Sequence, residues 1–273
     1  MIFTAHPHAS LDLPSISSVS TEPILFTQVP ALDTVHDKLV SFVNGVPSLA
    51  SSTKIKDDMA QEIFPWLKQR YVQKSKAPTG PAVVAAFGRT IAALVADLPA
   101  SSMFPLFDVW RLAILEPAIA QVTLVPLVKV LTLNSQSVSS SPRAALLTLL
   151  RLATNALGTS LSRSLLSPDA REAREALTSV LVQTLLHQDR LVRVAAASLG
   201  FNVGAWVQKG RVARVKGGEV VDGIRESEED GEWEVELVSA VAEALAGEEE
   251  SEDAGELSIF GRSPMIDSRS RAL

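Results

Sequence analysis

Apolar side chains recur along most of this chain at the spacing of an amphipathic helix. In the stretch 143–157, Leu146, Leu149, Leu150, Ala153 and Leu157 fall at i, i+3, i+4, i+7 and i+11, which lays one continuous apolar face along a helix and requires that face to be buried. A second long apolar helix is predicted over 191–206, and a third over 168–188 between them. Upstream, Val35, Leu39, Phe42 and Val43 form a first helix with Asp33 and Thr34 as caps. Ile55, Met59, Ile63, Trp66 and Leu67 form another, which Pro65 should kink, with Trp66 and Tyr71 as core. Helices follow over 82–96, over 104–115 as the most apolar and central segment, ended by Pro117, and over about 122–133. Trp233, Val235, Leu237, Val238, Val241 and Leu245 mark the last. No segment alternates apolar and polar as a half-buried strand does, so the chain is expected to be all-α.

Two of these helices carry a lone amide inside the apolar run, Asn155 in RLATNAL and Asn202 in SLGFNVGA. An unpaired buried amide costs about 1–3 kcal/mol, so each must be satisfied or used. They stand 47 residues apart, and Arg151 follows Arg111 by 40, close to the period of armadillo or HEAT repeats. The expected architecture is an armadillo/HEAT-like, right-handed helical solenoid with disordered termini. Its domain plan is a disordered linker over 1–30, the helical domain over 31–247 and an acidic disordered tail over 248–273. In such arrays the inner helices line a groove where Asn amides bond an extended peptide backbone and cations attract its acidic side chains. Arg111, Arg151, Asn155 and Asn202 are the groove candidates. The alternative for each Asn is to satisfy a neighbouring helix or loop carbonyl.

Charge sharpens this picture. The net charge of -6 divides into an excess of 22 Lys and Arg over 16 Asp and Glu in residues 1–225 and 3 against 15 beyond them, a basic body with an acidic end. The runs beginning at Glu226 and Glu248 are expected to be solvated. Absence of cysteine excludes thiol catalysis, disulfides and thiolate metal sites, and the nucleus or cytosol is the expected location. Asp97, Asp108, Arg111, Lys129 and Arg151 interrupt the apolar stretches, and no membrane insertion is expected. Nor does the N-terminus read as a secretory signal. His6 and His8 lack a third ligand, the four histidines form no nucleophile–base pattern, and no P-loop, dinucleotide turn or HExxH is present. No enzyme, cofactor or metal is expected. The carboxylate pairs Asp57–Asp58 and Glu172/Glu175 read as solvated surface charge. Nucleic acid is not favoured, because no helix-turn-helix or RNP-type aromatic signature accompanies the basic body.

The segments SSMFPLFDVWRLAILEP, PRAALLTLLRLATNAL and LVRVAAASLGFNVGAW, in that order and at these separations, resemble the PUL domain, the C-terminal module of phospholipase-A2-activating protein and its fungal relatives. PILFTQVPALDTVHDKL is similar to the linker and opening helix that follow a thioredoxin-like domain in fungal multidomain PUL proteins. The resemblance implies an armadillo-like domain without chemistry of its own. It also implies binding to the C-terminal tail of the hexameric AAA ATPase valosin-containing protein, in ubiquitin-dependent turnover. Two departures from the family are expected: residues 1–30 carry no sign of a thioredoxin-like or propeller domain before the linker, and helical signal fails after Glu248. The alternative is a structural scaffold, or a truncated remnant of a thioredoxin-PUL protein, without binding activity.

Overall fold

The computed structural model describes residues 21–215 and 231–249, and all regular secondary structure among them is helical. The helices are α1 (Leu32–Gly45), α2 (Pro47–Ala50), α3 (Thr53–Asp57), α4 (Phe64–Leu67), α5 (Pro81–Asp97), α6 (Phe104–Ala113), α7 (Pro117–Ser135), α8 (Arg143–Leu157), α9 (Leu161–Leu166), α10 (Arg171–Leu185), α11 (Arg190–Val215) and α12 (Glu232–Glu249). Proline starts many of them. Pro47, Pro81, Pro105 and Pro117 sit in first turns, where the missing N–H would be unpaired anyway and the fixed φ is already helical.

Pro117 therefore opens α7 as well as closing the preceding turn, and the helix expected over about 122–133 extends from Pro117 to Ser135 with Pro126 inside it. Pro65 acts as expected, by a specific device. Wide π turns, Asp58–Ile63 and Lys68–Val72, flank α4, and the Phe64 N–H bonds the Met59 carbonyl five residues back. The extra residue per turn relieves the clash that the proline ring would make with a regular α turn. Trp66 is buried and meets Phe87 and Tyr71 edge-on, as core residues do. The Tyr71 hydroxyl donates to the Leu112 carbonyl at 2.5 Å, and burial pushes its pKa up to about 12.

Packing is between neighbours in two rows. α1, α6, α8 and α11 follow one another in the first, and α5, α7, α10 and α12 in the second. Within each row every helix touches the next. The rows join where α10 meets α11 and through the buried bond from Trp110 Nε1 to Thr123 Oγ1 at 3.1 Å. α7 is 19 residues long with mean hydropathy 1.4, enough by length and composition to cross a membrane. Here it lies between α5 and α10 and buries Ile119, Ala120, Leu127, Val130 and Leu131 in the core.

The domain plan needs one correction. Residues 21–30, expected as disordered linker, form a strap without helix that is bonded to the helical body. Burying part of that segment against polar groups placed to receive its backbone offsets the entropy of ordering it. Residues 1–20, with His6 and His8, lie outside the described residues, as do 216–230 and 250–273, which hold most of both acidic runs.

Asp58 is a second correction. It is buried at 1% exposure, and its carboxylate receives Arg89 Nε and Nη2 at 3.1 and 3.0 Å and Lys54 Nζ at 2.9 Å. The group thereby ties the first π turn to α5. Burial pushes the Asp58 carboxyl up, but the hydrogen bonds and charges of Arg89 and Lys54 together outweigh it and hold the pKa below its ordinary 3.8. A lowered folded-state value means stability that is complete above 3.8 and is lost as pH falls through the folded-state value. Asp58→Asn is expected to lower the melting temperature at pH 7 and to lose less further stability than the parent between roughly pH 5 and pH 2. Parallel acid dependence in the two proteins would contradict this role.

Candidate functional site

Three helices of the first row, the inner row because the strap crosses it, present a polar line to the strap. Arg111 lies in the last turn of α6, Asn155 in the last turn of α8 and Asn202 within α11. All three are buried, at 4%, 0% and 2% exposure. Their contacts explain how they survive there.

Asn155 Oδ1 accepts the Phe26 N–H at 2.7 Å, while its Nδ2 donates to the Phe26 carbonyl at 3.0 Å and to the Arg111 carbonyl at 2.7 Å. Asn202 repeats the pattern one helix further on. Its Oδ1 accepts the Ile24 N–H at 2.7 Å, and its Nδ2 donates to the Ile24 carbonyl and the Thr154 carbonyl, each at 2.9 Å. Each amide thus uses both its donors and one acceptor site, which fixes its orientation and removes the cost of burying it. The helix carbonyls chosen are not arbitrary. Arg111 and Thr154 lie in the last turns of α6 and α8, where the Leu115 N–H turns to the Leu112 carbonyl instead of Arg111 and the Thr154 carbonyl receives only a long bond, 3.3 Å, from the Gly158 N–H. Each asparagine therefore satisfies the end of the preceding inner-row helix and grips the strap with the remaining atoms.

Arg111 completes the line. Its Nη1 and Nη2 donate to the Phe26 and Gln28 carbonyls, both at 2.8 Å, and its Nε pairs with Asp108 Oδ1 at 2.6 Å. Asp108 also borders an open cleft of about 540 Å³ between α1 and α6, with Lys38, Ser41 and Phe104 in its lining. Arg151 differs from the other three. Its guanidinium carbon stands 5.5 Å from the centre of the Phe26 ring, a cation–π contact, and its buried Nε has no hydrogen-bond partner. Among the described residues no carboxylate pairs with it.

The structure thus brings all four sequence candidates onto the face the strap crosses, and three of them already hold an extended backbone: the chain's own. Phe26, Asp108 and the Thr154 carbonyl escaped the sequence reading. A signal existed for the strap, since Ile24–Val29 is a short apolar and β-prone run bounded by Pro23 and Pro30. Gly158 shows how closely its start is seated, because a Cβ there would collide with the Leu25 side chain.

A family model described as PUL domain matches residues 20–258. The chain belongs to the PUL domain family. The matched region of this PUL domain begins at residue 20, so the strap lies inside it rather than in a leader. PUL domains are protein-interaction domains that bind protein partners. No curated protein and no solved structure matches the chain. Among the described residues no group of three or more His, Cys, Asp or Glu side chains is placed to hold a metal ion.

Because Asn155 serves both the strap and the α6 terminus of this PUL domain, Asn155→Ala leaves the buried Arg111 carbonyl and Phe26 N–H without those partners. It is expected to lower unfolding free energy by about 1–3 kcal/mol in urea titrations, with Asn202→Ala in the same range. Either variant at parent stability would show that the amides are dispensable to the fold.

Proposed function

We propose that this PUL domain is a non-catalytic peptide-binding adaptor that takes the C-terminal tail of the AAA ATPase valosin-containing protein, in ubiquitin-dependent protein turnover in the cytosol or nucleus. Its family supports a protein-interaction role, and the resemblance of the α6, α8 and α11 segments supports that partner. The observation that carries the reading is Arg151. A guanidinium lying on an aromatic ring, beside a segment of extended backbone and without a carboxylate of its own, offers charge-assisted hydrogen bonds to an acidic side chain or a terminal carboxylate. Basic surroundings would steer an acidic tail toward it. No membrane, nucleic acid or cofactor enters this function.

A second reading has an observation in its favour. Asn155, Asn202 and Arg111, the groups best suited to hold a peptide backbone, are engaged by the strap, as a scaffold without binding activity would require. The two readings separate at Arg151. Fluorescence polarisation with a labelled tail peptide is expected to show binding that weakens with salt, with Arg151→Ala weakening it about tenfold or more and flattening the salt dependence at an unchanged melting temperature. Failure of the parent protein to bind, or equal affinity in the variant, would favour the scaffold.

A further inference from the structure

The strap has two edges, and only one is used. In an extended chain the N–H and C=O of one residue point to the same side, and those of the next residue to the other. Asn202 takes both groups of Ile24 and Asn155 takes both groups of Phe26, while the Gln28 carbonyl goes to Arg111. That alternation defines an inner edge at Ile24, Phe26 and Gln28. The opposite edge belongs to Leu25 and Thr27, both exposed, whose N–H and C=O have no partner among the described residues. Such an edge is a template for an added strand.

We propose that an acidic peptide binds this PUL domain by pairing as a strand with the outer edge of the strap at Leu25 and Thr27, with a carboxylate on Arg151. This rests on the adaptor reading and supplies its geometry. Replacement of the strap is the competing route, and physical reasoning disfavours it. A tail entering the inner line from solution would have to displace six hydrogen bonds that the strap makes from a tethered position. A tethered segment holds such a site at an effective concentration on the order of millimolar. Pairing on the outer edge displaces nothing but water, and main-chain bonds there supply affinity with little demand on sequence. Charge chooses the occupant: Phe26, between the two outer-edge residues, carries the Arg151 guanidinium on its ring, so an acidic strand meets an unmatched cation.

Thr27→Pro is the direct test, because it removes an outer-edge N–H at a φ that extended backbone accepts and leaves every inner-edge bond in place. With the labelled acidic tail peptide of valosin-containing protein as probe, Thr27→Pro is expected to lower affinity tenfold or more at an unchanged melting temperature, and Thr27→Ala to bind as the parent does. Should Thr27→Pro melt early, two tail peptides N-methylated on alternate backbone nitrogens settle the matter on the parent protein: one register should lose tenfold or more and the other should not. Equal affinity of Thr27→Pro and parent, or of the two methylated peptides, with Arg151 dependence intact, overturns the edge pairing and leaves the adaptor reading standing. Absence of any tail binding removes both. A concentration-dependent dimer of the parent that Thr27→Pro dissolves would assign the edge to a second copy of this chain and overturn the proposal.

Discussion

A buried carboxamide that must satisfy both a helix end and an extended chain is the constraint on which this structure depends. Asn155 and Asn202 each reach the carbonyl at the end of the preceding inner-row helix with one N–H and the strap with the remaining N–H and oxygen. Stacking α6, α8 and α11 closely enough for apolar packing brings the open Arg111 carbonyl of α6 and the Thr154 carbonyl of α8, held only at 3.3 Å by the Gly158 N–H, into the interior, where a missing or weak partner is expensive. The asparagines meet that demand, and their second donors and oxygens then need an extended backbone. The strap provides it. Helix packing, repeat spacing and the course of residues 21–30 thus follow from one piece of hydrogen-bond chemistry applied twice.

Charge around the line is divided by partner. Arg111 spends its Nε on Asp108 and its two terminal nitrogens on strap carbonyls, so it acts as a fixed clamp. Arg151, one turn before Asn155 on α8, lies on the face of the Phe26 ring and has no carboxylate partner among the described residues. Two arginines that look equivalent in sequence therefore differ in what they leave for a partner: the first has no free donor direction toward the strap, the second retains its charge. Asp58 shows the opposite economy, a buried carboxylate matched by two cations and serving to join α3 and its π turn to α5.

Much of the fold was legible because amphipathic periodicity is a local property. α8 coincides with its sequence expectation from Arg143 to Leu157, and α6 starts where Phe104 begins the most apolar run. Length was less legible than existence. Pro117 suggested an end and the next helix was expected only from about residue 122, yet as a first-turn proline Pro117 initiates α7, which packs against α5 and α10 with Pro126 inside it. Asn155 and Asn202 announced themselves as polar atoms in apolar runs, and both bond helix and loop carbonyls of this same chain, the alternative to a bound peptide that the sequence left open. That the backbone is the chain's own could not be read from periodicity, since contacts between Ile24 and Asn202 span 178 residues. Asp58 was obscure for a similar reason, because its burial depends on Arg89 from a different helix.

Amide hydrogen exchange resolved along the strap tests the central claim most directly. Inner-edge attachment predicts alternation: the Ile24 and Phe26 amides, bonded to Asn202 and Asn155, are protected, whereas those of Leu25 and Thr27 exchange at rates close to those of free peptide. Uniformly fast exchange from residue 21 to 30 would mean that the strap is not held, and protection at Leu25 and Thr27 in place of Ile24 and Phe26 would mean that it is held by the other edge.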